Sequence, residues 1–326
     1  MSPVVYKTSL IVGNAHDGLV SYDLNSKNVK WRIPVELGVE ASGANVRDTL
    51  FIGSNNGKVY SIDLYDGDIN WTFDTKTEVV AEPLLDDGVL YFISAGQSLY
   101  AVDALTGKQI WIYSRQDTSG AMTIRGSSKP AFYNGTIYAG FSDGSLVAVN
   151  AKTGTEQWEI TLNRNTKFKD IDASPIISDS VIYVNSYDDK LYALSQSSGE
   201  IMWSSPYGGS TTPKIVGDKI ITGSSKGKLV ALDKKSGNLA WKYETNDGVF
   251  TEPELFNDIV TVGESQGKLL FLSPMTGALL GSFEPGRGVF SKPTVYNNNV
   301  YFISGEGNLY GVEAAYKTNS SVEYLK

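Results

Sequence analysis

Five residues have types and spacing suited to specific chemistry: Met122, Ile124 and Arg125 in the run MTIRG, and Asp170 and Asp172 in the run KDIDAS. Arginine offers a planar fork of donors and the aspartates offer acceptors that match it. Large apolar residues beside such a pair complete the residue mix favoured at the centre of protein interfaces. The residues alone leave two readings open. Arg125 pairs internally with Asp170 or Asp172 and fastens two loops, or the five groups face a partner; a pair that holds the loops would also shape the patch. Asp-x-Asp is too small an oxygen set for a calcium loop, which needs more ligands at a defined spacing.

Other routes to chemistry are closed. The only histidine, His16, stands in NAHDG, a strand-to-strand turn, where a solvated turn residue is the ordinary reading. No serine occupies a G-x-S-x-G elbow and no glycine-rich phosphate loop precedes a helix. Cysteine is absent, which removes disulfides, thiolate metal sites and cysteine nucleophiles. A formal charge of -8 argues against a protein that works by neutralising phosphates. No run approaches the length of a membrane-spanning apolar helix. The expectation is a chain with no catalytic residues, no cofactor and no metal.

The elements that must position the five residues come from a repeat. The segment G-x-L-x-A-[LV]-D-x-x-[TS]-G-x-x-x-W is well formed at Gly57 to Trp71, Gly144 to Trp158 and Gly227 to Trp241. Looser copies run from Gly18 to Trp31, Gln97 to Trp111 and Asp189 to Trp203, a seventh ends in Gly281 instead of tryptophan, and an eighth begins at Gly307. All six tryptophans, Trp31, Trp71, Trp111, Trp158, Trp203 and Trp241, therefore share one repeat position. Each repeat reads as four short strands, with two-residue alternation and D-G, T-G or S-G turns such as Asp66-Gly67 and Thr106-Gly107. Prolines at 3, 83, 130, 175, 213, 253 and 293 fit the start of a first strand, where a missing N–H breaks no ladder bond.

A single four-stranded sheet cannot bury both faces, whereas sheets stacked around an axis can. The predicted fold is all-β: one eight-bladed β-propeller with blades near 1–37, 38–77, 78–120, 121–165, 166–207, 208–247, 248–287 and 288–326. The tryptophans become docking groups between blades, each N–H bonded to a neighbouring carbonyl. The tail 314–326 supplies an outer strand for the last blade or is a loose end. Asp86, Asp87, Asp188 and Asp189 are expected in turns with solvated carboxylates.

The A-x-D-x-x-[TS]-G-x-x-x-W signature resembles the repeat of pyrroloquinoline-quinone propellers over the whole chain, a likeness specific for fold and weak for function. The middle run, MTIRGSSKPAFYNGTIYAGF and then DIDASPIISDSVIYVNSYDDKLYALSQSSG, resembles the BamB family of the outer-membrane β-barrel assembly machinery. That resemblance implies a non-catalytic scaffold in which Met122, Ile124, Arg125, Asp170 and Asp172 contact the barrel subunit BamA. It also implies a periplasmic, outer-membrane location with an N-terminal lipid anchor and possible unfolded outer-membrane clients. The run MSPVVYKTSL itself shows neither an export signal nor a lipobox cysteine. A quinone dehydrogenase would usually want vicinal cysteines, longer insertions and a calcium cluster, and none is evident.

Spacing points to the same region. Between positions 31, 71, 111, 158, 203, 241 and 281 the steps are 40, 40, 47, 45, 38 and 40. The two long steps are adjacent, and their extra residues fall in SRQDTSGAMTIRGSSKP and TLNRNTKFKDIDASP, before first strands. In repeat proteins such insertions commonly build the binding face, so these two connections are expected to be neighbours on one rim.

Overall fold

The computed structural model describes residues 1–14, 18–115, 128–163, 170–245 and 248–313. His16, Met122, Ile124, Arg125 and the tail 314–326 lie outside the described residues. Among the described residues every regular element is a β-strand, and the strands form eight antiparallel sheets in simple sequential order. Seven sheets have four strands, and the eighth shows three: Thr294–Tyr296, Asn299–Ile303 and Leu309–Glu313. The fold is an eight-bladed β-propeller. Two compact units divide the chain, Pro3–Thr212 with five blades and Pro213–Lys326 with three.

Local chemistry explains the strand boundaries. Pro83, Pro130, Pro175, Pro213, Pro253 and Pro293 each stand immediately before a first strand, beginning at Leu84, Ala131, Ile176, Lys214, Glu254 and Thr294. The T-G and D-G turns close the third hairpin. Gly67, Gly107 and Gly154 take φ of 85°, 68° and 70°, the left-handed region that other residues adopt only with strain. In seven blades a bulge falls just before the tryptophan position. In blade 3, Ala101 faces Trp111 while Val102 faces Gln109, so one residue is skipped.

That bulge places a large ring opposite a small residue. Ser21, Ser61, Ala101, Ala148, Ala193 and Ala231 face the six tryptophans across the third and fourth strands. Where Gly281 replaces tryptophan, its partner is Phe271, so large and small have exchanged places. Five indole N–H groups donate to the next blade: Trp31 to Leu64, Trp71 to Ala104, Trp111 to Ala151, Trp158 to Gln196 and Trp241 to Pro274, at 2.8 to 3.4 Å. The turn glycine of that next blade lies on the ring; a Cβ on Gly154 would sit 2.7 Å from Trp111. In the first unit the core thus runs as a chain of interblade clusters, one joining Tyr91, Ile93 and Trp111 to Ile137, Val147 and Val149.

Two expectations are corrected. Asp86 stands not in the turn but on the first strand Leu84–Asp86, where it is half-buried and pairs with Val89. Asp188 is not a solvated turn carboxylate: its side chain is 12% exposed and accepts a 2.5 Å hydrogen bond from the Tyr192 hydroxyl. The turn brings Asp188 back over its own third strand, where Tyr192 needs a buried acceptor.

Candidate functional site

The Asp170-Ile171-Asp172 element enters blade 5 ahead of its first strand, Ile176–Ser178. Ile171 is the anchor. It is fully buried among Tyr138, Leu146, Val184 and Tyr192, and its N–H donates to the Phe141 carbonyl at 3.2 Å. Its side chain packs so closely on Gly140 that a Cβ there would meet it at 2.5 Å. With Ile171 turned inward, the two aspartates on either side are set by the backbone. Asp170 is wholly buried, and its carbonyl accepts from the Tyr187 N–H at 3.4 Å. Asp172 is half-buried and stands near the Tyr187 phenol, with Ser210 also beside that phenol. Burial, then the nearby charge of Asp172, raises the Tyr187 phenol above its ordinary value, so it remains a proton donor.

The two long connections end side by side. Ser128 Oγ donates to the Ala173 carbonyl at 3.3 Å, and the Lys129 N–H donates to Ser174 Oγ at 3.1 Å. The Ser174 N–H in turn donates to Thr212 Oγ1 at 3.2 Å, and Asn185 Nδ2 to the Thr211 carbonyl at 2.6 Å. Lys129 Nζ reaches back to Glu82 of blade 3. Three residues beyond Arg125, the chain is thus tied to the residue that follows Asp172.

Arg115, the last described residue before the first long connection, fixes its other end. Its guanidinium binds Asp143 through Nε and Nη2 at 3.1 and 2.8 Å, binds Glu159 at 2.6 Å, and lies 5.3 Å from the Phe141 ring centre. The side chain is only 15% exposed, and its hydrogen bond holds the Glu159 carboxyl below the usual range. Beside it Tyr113 donates to Glu156 at 2.6 Å, and burial together with that bond pushes its phenol up to about 12. At the regular steps the same backbone bond to the second turn is made by Thr75 and Thr245. Thr75 spends its hydroxyl on the carbonyl of Gly57 in its own blade, whereas Arg115 crosses to blade 4. Sequence reasoning passed over Arg115 and Tyr187; arginine at a threonine position of the repeat was the available signal for Arg115.

The structure therefore brings Asp170 and Asp172 together with Tyr187 and Ser210. Of the pair, Asp172 is the one with a solvent-facing part. Among the described residues no group of three acidic or histidine side chains is arranged to hold a metal ion.

A family model described as outer membrane protein assembly factor BamB matches residues 15–243 and, in an overlapping second match, 169–322. The chain belongs to this family. Among curated BamB relatives, that of Kangiella koreensis is 26% identical over 142 residues, 41% of this chain and 36% of the relative. That of Legionella pneumophila is 29% identical over 128 residues, 37% of this chain and 33% of the relative. These alignments span about a third of each relative's length. The crystal structure of BamB from Moraxella catarrhalis superposes with a TM-score of 0.82 at 21% identity, covering 96% of both chains. Quinohemoprotein alcohol dehydrogenase from Comamonas testosteroni superposes at 0.78 with 15% identity, covering 95% of this chain and 70% of that one. At such identities both likenesses speak for the propeller fold alone.

Proposed function

We propose that this BamB-family propeller is a non-catalytic scaffold of outer-membrane protein assembly. It docks on the periplasmic part of a BamA-like barrel subunit through the rim that carries Met122, Ile124, Arg125 and Asp172. Asp170, being buried, supports that rim from beneath. The observation that carries the reading is the tying of the two long connections to one another at Ser128–Ala173 and Lys129–Ser174. Two irregular segments are spliced onto a regular ring of repeats and held at one place, which suits recognition more than stability. The location proposed is the periplasm at the outer membrane, reached with an N-terminal lipid anchor. Assistance to the folding and insertion of barrel clients is part of the same proposal, and the single propeller domain is its working unit.

A photo-crosslinking residue at position 172 is expected to capture the cognate BamA, while one at position 66, in a turn at the other end of a blade, is not. Capture from position 66 but not from 172 would move the interface elsewhere. The likeness to quinone dehydrogenases keeps a second reading open to test. A saturable thermal shift with pyrroloquinoline quinone and Ca²⁺, accompanied by alcohol turnover, would replace the scaffold by an enzyme.

A further inference from the structure

Charge is distributed over the blades very unevenly. The chain carries 28 basic and 36 acidic residues, yet the blade 6 segment 208–245 has seven lysines against three acids, Asp218, Asp233 and Glu244. The segment before it, 170–207, has one lysine against six acids, and the segment after it, 248–285, has one against five. Blade 6 is thus a basic sheet in an acidic protein.

The lysines follow the outer half of that blade. Lys214, on the first strand Lys214–Val216, is spent on Glu254 of blade 7. Lys219, at the start of the second strand, is paired with Asp218 at 2.8 Å and is largely buried; the other five are Lys234 and Lys235 at the third turn, Lys226 and Lys228 at the second turn, and Lys242 on the edge strand Leu239–Glu244. Lys226, Lys235 and Lys242 are exposed. Glu244 is shared between Lys228 at 3.5 Å and Lys242 at 3.0 Å, so one carboxylate answers two ammonium groups. A six-residue strand spans about 20 Å, and the lysines reach both of its ends. Leu239 and Ala240 are exposed on the same edge.

We infer that the outer face of blade 6 docks on an anionic phospholipid headgroup layer. The composition selects that occupant. Protein interfaces enrich arginine and aromatic residues at their centres and deplete lysine. This blade has no arginine, its tryptophan is buried and Tyr243 is half-buried. Lysine point charges spread over an extended strip are suited to a field of phosphates, each contributing about 1 kcal/mol near such a surface. Leu239 supplies a shallow apolar contact beside them. The inference uses none of the residues of the proposed BamA rim and stands apart from that reading.

Co-sedimentation of the full chain with vesicles tests it. Binding is expected to phosphatidylcholine vesicles that carry phosphatidylglycerol, not to phosphatidylcholine alone, and it is expected to fall with added salt. The triple variant Lys226→Gln, Lys235→Gln, Lys242→Gln should bind about a hundredfold more weakly, at roughly fivefold per lysine. A control with equal charge loss elsewhere, Lys76→Gln, Lys108→Gln, Lys152→Gln, should bind like the wild type. No sedimentation with the anionic vesicles, or equal losses in both variants, overturns the inference. Binding of polyglutamate without binding of vesicles also overturns it, and assigns the face to an acidic protein.

Discussion

Trp111 concentrates the physics of this protein in one side chain. The ring is 8% exposed, sits against Tyr91 with centroids 5.8 Å apart, donates to the Ala151 carbonyl at 2.9 Å and has Gly154 of the next blade on its face. Trp111→Ala should cost about 3–5 kcal/mol in denaturant unfolding, from lost burial and the cavity left behind. Trp111→Phe, which keeps most of the ring and removes one of the two donors to the Ala151 carbonyl, the other being the Tyr91 hydroxyl at 3.2 Å, should cost about 1 kcal/mol. Gly154→Ala should be comparably damaging, because its φ of 70° disfavours a side chain and its Cβ would overlap the indole. Equal stability of Gly154→Ala and wild type would show that the ring has room to retreat. The tryptophan column and its turn glycines were legible because they recur. Asp188 was not, since D-D in a turn reads the same whether or not a tyrosine three-dimensionally beneath it needs an acceptor.

Between blades, the strands depend on a few charged contacts that no periodicity reveals. Arg115 connects blade 3 to Asp143 and Glu159 of blade 4 from a position 15% exposed. Arg115→Met should lower stability by about 2 kcal/mol, since it leaves two half-buried carboxylates without their donor fork. In the second unit Glu254 stands on a first strand between Lys214 and Lys292. Burial works against its charge, but the hydrogen bond and charge of Lys214, then Lys292, outweigh it and hold the carboxyl below its usual range. A carboxyl depressed in the folded state contributes stability above its unfolded value, near 4.3, and that contribution is lost as pH falls through the lower folded value. Glu254→Gln should therefore be less stable than wild type at neutral pH, with the gap closing below about pH 4. A gap constant with pH would mean that the glutamate acts by shape and not by charge. Strand starts and turns were legible here through proline and glycine. The bulge before each tryptophan was not, because the one-residue skip, which inverts the alternation, falls at the first residue of the fourth strand and leaves no run ahead of it to show the change of phase.

For the molecule as a whole, the repeat is the regular background on which two kinds of irregularity stand out: two long steps and one lysine-rich blade. The length of those steps was readable from tryptophan spacing alone, and their pairing is visible at Ser128–Ala173. The burial of Asp170 was not readable, because the inward turn of Ile171 depends on Gly140 of another blade. The proposed scaffold role rests on that rim. Its most direct test is the equilibrium affinity of the full chain for the periplasmic domains of the cognate BamA, compared with a folded Arg125→Glu variant. Loss of about 2 kcal/mol or more, roughly thirtyfold in affinity, is expected for a charge reversal at an interface anchor. Affinity unchanged in the variant, with its melting curve also unchanged, would contradict the account.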